Sequence, residues 1–126
     1  MRHEHHFTQR QASAALGWVT ERLEAMRAAR EHLLDPAARA AVAEAGPTNG
    51  GGDPGRVIGE GFLDLRRAAA ELDAAGVVVR DLERGLCDFP SIRDGREVYL
   101  CWVESEEDEI GYWHELDDGY PGRQPL

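Results

Sequence analysis

The chain contains no lysine: its 14 basic residues are all arginine, set against 24 acids, which gives a formal net charge of −10 over 126 residues. A field of that sign repels phosphate backbones at long range, so no nucleic-acid partner is expected, and a basic partner or a cation suits it better. The missing lysine also removes the residue that a phosphate-cradling Gly-rich loop requires. Cysteine is scarce. Cys87 and Cys101 stand in neither a CxxC nor any zinc-ligand spacing and supply no disulfide framework, which fits a reducing cytoplasm. No apolar run approaches the length of a membrane span, and the opening MRHEHHF lacks the apolar core of a secretory signal. A soluble, cytoplasmic, single-domain chain with no membrane partner is the expectation.

What is present falls into two halves. Residues 1–63 carry 7 arginines against 8 acids and residues 64–126 carry 7 against 16, so the excess charge is C-terminal. The cluster His3, Glu4, His5 and His6 could hold a transition metal loosely, but termini are commonly disordered and that is expected here. Thr8 with Gln11 three residues on forms a capping-box pattern, and Phe7 is placed to staple onto Ala12. Ala12, Leu16, Val19, Leu23, Met26 and Leu33 then recur at helical spacings, with Arg30 interrupting the seam, so the first helix is long and amphipathic. Asp35-Pro36 restarts it as Pro36 to Ala45, and Gly46-Pro47 stops it. The segment 46–55 is read as a mobile loop. Ile58, Phe62, Leu65, Ala69 and Leu72 predict a second helix from Arg56 to Ala75, capped by Gly76. Two matching stripes make an antiparallel helical hairpin over residues 1–75, and they are also what a homodimer would use.

After Gly76 the apolar period changes from that of helices to that of strands, predicting an α+β fold with a small antiparallel sheet and an irregular tail over residues 76–126. Val77 to Val79 is β-branched, Asp88-Phe89-Pro90 is read as a strand end, and Asp94-Gly95 is a turn. If the acidic turn Ser105 to Asp108 places Trp102 opposite Ile110, then Leu100 meets Tyr112 and Val98 meets His114. A slip of one residue reverses the faces. In either register the face away from the helices is too apolar to be bare, so the tail Leu116 to Leu126 or a second copy must cover it.

Three stretches, GVVVRDLERGLCDFP, GREVYLCW and EIGYWHELDDGYPGRQPL, closely resemble the bacterial and archaeal proteins grouped as domain of unknown function 2203. The opening FTQRQASAAL is similar to that family's usual start, so the likeness runs over nearly the whole chain, leaving HEHH outside it. The resemblance implies helices followed by a compact end that contains tryptophan and aspartate, and no reaction.

The chemical candidates gather late in the chain. His114, Asp117 and Asp88 lie near strand ends, where side chains can converge, and one imidazole with two carboxylates is a reasonable ligand set for a divalent metal ion. Glu115, Asp118, Arg123, Trp102 and Trp113 are further candidate site residues around them. The competing view is a hydrogen-bonded histidine at a sheet end beside solvated acids. A Cys101–His114 nucleophile and base is conceivable, but no Gly-rich oxyanion turn accompanies it, and a strand cysteine is usually buried and inert. The acidic run 104–109 lacks the order of a calcium loop. Two functions follow: a non-enzymatic, homodimeric interaction or adaptor protein, or a small metal-dependent or acid–base enzyme centred on His114.

Overall fold

The computed structural model describes residues 1–37, 40, 53–106 and 108–126, with the backbone alone for 53–58. Two helices, α1 (Gln9–Leu34) and α2 (Asp53–Ala75), lead into a five-stranded antiparallel sheet in the order β1 (Val78–Asp81), β2 (Leu86–Arg93), β3 (Arg96–Val103), β4 (Tyr112–Glu115) and β5 (Gln124–Pro125). The chain forms two compact units, one of residues 1–21 with 71–126 and one of Arg22–Ala70. The capping box is made in both directions, Gln11 N donating to Thr8 Oγ1 at 3.0 Å and Thr8 N to Gln11 Oε1 at 2.9 Å. Asp35 caps as expected, accepting from Ala37 N at 3.0 Å, but most of the predicted Pro36–Ala45 helix and of the 46–55 loop lies outside the described residues. Asp53, Pro54 and Gly55, assigned to that loop from sequence, already belong to α2, with proline accommodated in the first turn, where no N–H partner is needed.

In the unit of residues 22–70, Leu23 and Ala29 of α1 and Gly61 and Ala68 of α2 are buried. A Cβ at Gly61 would meet the Ala29 carbonyl oxygen and the His32 Cβ, each at 3.1 Å, so the two helix backbones approach as closely as a bare glycine permits. That approach turns this part of α2 by about one residue from the stripe read in the sequence: Gly61 and Ala68 face inward while Phe62 is exposed, although Leu72, in the other unit, is buried as read.

In the other unit Gly76 ends α2 at φ 88°, and a Cβ there would lie 3.1 Å from that of His5. The sheet is pinned by Asp94-Gly95, both at positive φ, closing the β2–β3 hairpin next to the Arg93–Arg96 pair. The β3–β4 register is one residue away from the sequence expectation: Val98 opposes Glu115, Tyr99 opposes His114, Leu100 opposes Trp113 and Cys101 opposes Tyr112. Ile110, which sequence had placed in the ladder, lies before β4 and is buried, its N–H donating to Ser13 Oγ at 3.0 Å and its carbonyl accepting from Gln9 Nε2 at 2.6 Å. Holding Ile110 to α1 moves the first ladder residue on to Tyr112.

Because side chains alternate, one face carries Phe89, Val98, Leu100, Trp102 and Trp113, and the other carries Leu86, Asp88, Pro90, Tyr99, Cys101, Val103, Tyr112 and His114. Ala12, Leu16, Val19, Leu72 and Phe89 are buried in the same unit, and Phe7 meets Phe89 edge-on at 5.4 Å. Each such large apolar side chain contributes about 1.5–3 kcal/mol by burial. Pro90 does not end β2, contrary to the sequence reading. β1 pairs only as far as Val78–Asp88, so the missing Pro90 N–H faces no strand, and the Pro90 carbonyl accepts from Phe7 N at 2.7 Å.

The second face is covered from both ends of the chain. Tyr120 packs on Leu86, Cys101 and Val103, which bears out the expectation of a covering tail, and β5 pairs with β4. The histidine-rich opening, expected to be disordered, is ordered over the same face. Arg2 N and His3 N donate to the Glu97 carboxylate at 2.8 and 3.0 Å, His6 Nε2 pairs with Glu97 at 2.7 Å, and His3 Nε2 meets the Tyr99 hydroxyl at 2.5 Å.

Candidate functional site

On this second face β2, β3 and β4 each present one chemically capable side chain to the same spot. Asp88 and Cys101 are direct cross-strand partners, and His114 enters from β4 next to Tyr99. All three are buried, at 2 %, 1 % and 1 % exposure, and one donor atom from each lies within 4.8 Å of the others. His114 Nε2 is 3.0 Å from Asp88 Oδ1, and His114 Nδ1 donates to the Glu115 carbonyl at 2.7 Å. The ring also hydrogen-bonds the Cys101 side chain.

A bulge in β1 completes the centre. Between Val79 and Asp81 the register shifts, and the extra residue, Arg80, is freed to donate Nε to Asp88 Oδ2 at 2.9 Å with its guanidinium 5.2 Å from the Tyr99 ring centroid. From the tail, Arg123 stacks on Tyr112 at 4.0 Å and on Tyr120 at 4.4 Å, pairs with Glu106 at 2.6 Å and hydrogen-bonds Cys101. Arg123 and Tyr120 also line an open cleft of about 450 Å³ with Arg84, Glu83 and Glu106, where charges of both signs balance.

Desolvation by burial disfavours a charged His114, but the hydrogen bonds to Asp88, Cys101 and the Glu115 carbonyl outweigh it and raise its pKa to about 10. Both ring nitrogens face acceptors, so the imidazolium is the form the site satisfies. Arg80, Asp88 and His114 therefore make an alternating cation–anion–cation row beneath Tyr99. A Cys–His–Asp catalytic triad needs one ring nitrogen toward the nucleophile and the other toward the carboxylate. Here the second nitrogen is committed to a backbone carbonyl, and the thiol is enclosed.

Of the sequence candidates, the structure brings Asp88 and His114 together. Asp117 stands at the surface, its carboxylate 89 % exposed and 3.5 Å from Arg2, and Asp118 is exposed too. Glu115 serves the centre through its backbone; its side chain pairs with Arg96. Trp102 and Trp113 lie on the opposite face. Arg123 reaches Cys101 as described. Arg80 and Tyr99 were not singled out from sequence: a bulge is invisible there, and Arg80 is one arginine among 14.

The fold and this enclosed centre define a small α+β protein in which two helices lead into an antiparallel sheet with one polar cluster under cover. The chain belongs to the family of domain of unknown function 2203, described as an uncharacterized conserved protein, whose model matches residues 5–126. No curated protein and no solved structure matches it. Among the described residues no helix is long and apolar enough to cross a membrane.

Proposed function

We propose that this is a non-enzymatic binding protein that works as a homodimer. The observation that carries the reading is the enclosure of the convergent polar cluster found among the described residues: Asp88, Cys101 and His114 are each no more than 2 % exposed, and both His114 nitrogens are engaged. A general base has to reach a substrate proton, and a nucleophile has to reach a carbon. Neither can act from beneath Tyr99 and Tyr120, so the alternative of an enzyme centred on His114 is the weaker one.

The helices supply the surface for self-association. In the unit of residues 22–70, the two described helices bury Leu23, Ala29 and Ala68 among the described apolar residues and leave Phe62 and Leu63 about half exposed, at 50 % and 57 %. Two neighbouring large apolar side chains exposed on one helix are a surface that a second copy would cover. Leu16, Val19 and Leu23, which the sequence offered to a dimer, are buried within the single chain, so Phe62 and Leu63 are left for the contact. The acidic C-terminal half favours a basic partner over nucleic acid. Free cysteines on opposite faces support a reducing, cytoplasmic setting. Sedimentation equilibrium at micromolar concentration should give the dimer mass, and Phe62→Asp should return the monomer. A wild-type monomer would overturn the reading.

A further inference from the structure

We propose that Asp88, Cys101 and His114 form a structural site for one thiophilic transition-metal ion of the zinc class, which ties β2, β3 and β4 together. Asp88 and His114 are each held from outside by one atom while another points to a common centre shared with the Cys101 sulfur. Asp88 gives Oδ2 to Arg80, leaving Oδ1 inward; His114 gives Nδ1 to the Glu115 carbonyl, leaving Nε2 inward; Cys101 is flanked by Arg123. Outer partners of this kind orient ligands at metal sites, and a histidine whose second nitrogen donates to a backbone carbonyl is the usual arrangement.

The dimensions fit with little movement. Bonds of about 2.0–2.3 Å in a tetrahedral site place ligand atoms roughly 3.3–3.8 Å apart. The three donors already lie within 4.8 Å of one another, with Asp88 Oδ1 and His114 Nε2 at 3.0 Å. The ion takes the place of the protons that now fill the centre: the Nε2 proton and the Cys101 thiol proton leave to solvent. A neutral imidazole, a thiolate and a carboxylate then balance a divalent ion. Sulfur in the set excludes magnesium and calcium, which take oxygen ligands, and favours zinc or cobalt(II). The three donors leave the fourth tetrahedral position to a water, and because all three are buried the ion would serve to tie the strands and not to meet a substrate, so the inference agrees with a non-enzymatic protein and does not depend on its being a dimer.

Cobalt(II) tests this on the full chain, made without an affinity tag and stripped with chelator. One ion per chain should bind and give the thiolate-to-metal charge-transfer band of the near ultraviolet. Cys101→Ser should lose the band, and Cys87→Ser, on the opposite face, should keep it. Zinc should raise the melting temperature of the native chain and not of His114→Gln. Binding without the band that survives Cys101→Ser would assign the ion to the terminal histidines His3, His5 and His6 and overturn the inference, as would a folded native chain that takes up no ion. If Cys101→Ser fails to fold, X-ray absorption at the zinc edge of the native protein decides: one sulfur neighbour upholds the site, and none overturns it.

Discussion

Replacing Asp88 by asparagine should remove most of the pH dependence of stability above neutrality in the metal-free protein. The folded-state pKa of His114 is raised from 6.5 to about 10, so the stability it contributes is fully present below about pH 6.5 and is lost as pH climbs through about 10. One proton gives a slope of at most about 1.4 kcal/mol per pH unit. Between about pH 7 and pH 9 the native chain should therefore lose up to about 3 kcal/mol on this account, within the roughly 3–5 kcal/mol that breaking a buried ion pair costs. Few other groups confuse the measurement. The chain has no lysine. Asp88→Asn keeps the shape and both cysteines, leaves the imidazole without its counter-ion, and lets burial push the His114 pKa down. Urea unfolding of both proteins in chelator at several pH values is the assay. The mutant should start less stable near pH 7 and show the shallower curve above it. Parallel curves would show that His114 is neutral in the folded chain and would remove the imidazolium from the account of the centre.

Four further outcomes test the frame around the site. Thr8→Ala should cost about 1 kcal/mol in chemical unfolding by removing one arm of the capping box, and no loss would mean that the helix start is held elsewhere. Gly76→Ala should cost roughly 1–2 kcal/mol for the left-handed conformation alone, with a shift of the His5 side-chain NMR signals, since the added methyl would lie 3.1 Å from the His5 Cβ. Gly61→Leu should destabilise by about 1–3 kcal/mol, since the Ala29 carbonyl is backbone and yields poorly; unchanged stability would refute the close helix approach. Hydrogen bonds from His6, His3 N and Arg2 N draw the Glu97 pKa down to about 2. The attachment they provide is present above the ordinary carboxylate range and lost as pH falls from about 4.5 toward 2. Exchange at residues 2–6 should follow that window and no longer do so in Glu97→Gln.

The helices and the order of elements were legible because they rest on local rules. Thr8-x-x-Gln11, Asp35-Pro36, Gly76 and Asp94-Gly95 each state a cap or turn within four residues, and each is made as read. The face that α2 turns inward was not legible. Phe62 scores higher than Gly61 in any apolar stripe, yet inter-helix distance is set by the smallest residue at the crossing, and a glycine over the Ala29 carbonyl wins a closer contact than a ring can. The order of the histidine-rich opening was illegible for a similar reason. Its order depends on Glu97 and Tyr99, more than 90 residues away, and on a gap at the β2 edge that exists only because β1 stops at Val78.

The candidate site turns on parity. Asp88 and Cys101 share a face because a two-residue turn joins β2 and β3, which the Asp-Gly pair announces. His114 joins them only if the next register has Tyr99 opposite it, and that parity is set by what happens between Val103 and Tyr112. There Glu106 caps Val103 N at 2.9 Å and pairs with Arg123, while Ser13 and Gln9 of α1 hold Ile110. Three contacts from distant segments thus fix a choice between two registers that the strand sequence leaves nearly even, since both faces of β3 are apolar. One residue of slip would send His114 to the tryptophan face, away from Cys101 and Asp88. Inserting a single residue into the acidic turn at Ser105 is therefore a sharper perturbation than deleting any one ligand. It should leave the helical signal of circular dichroism in place while abolishing the high histidine pKa by proton NMR. If that pKa survives the insertion, the register is set by the ladder itself, and the turn and its contacts with α1 are passive.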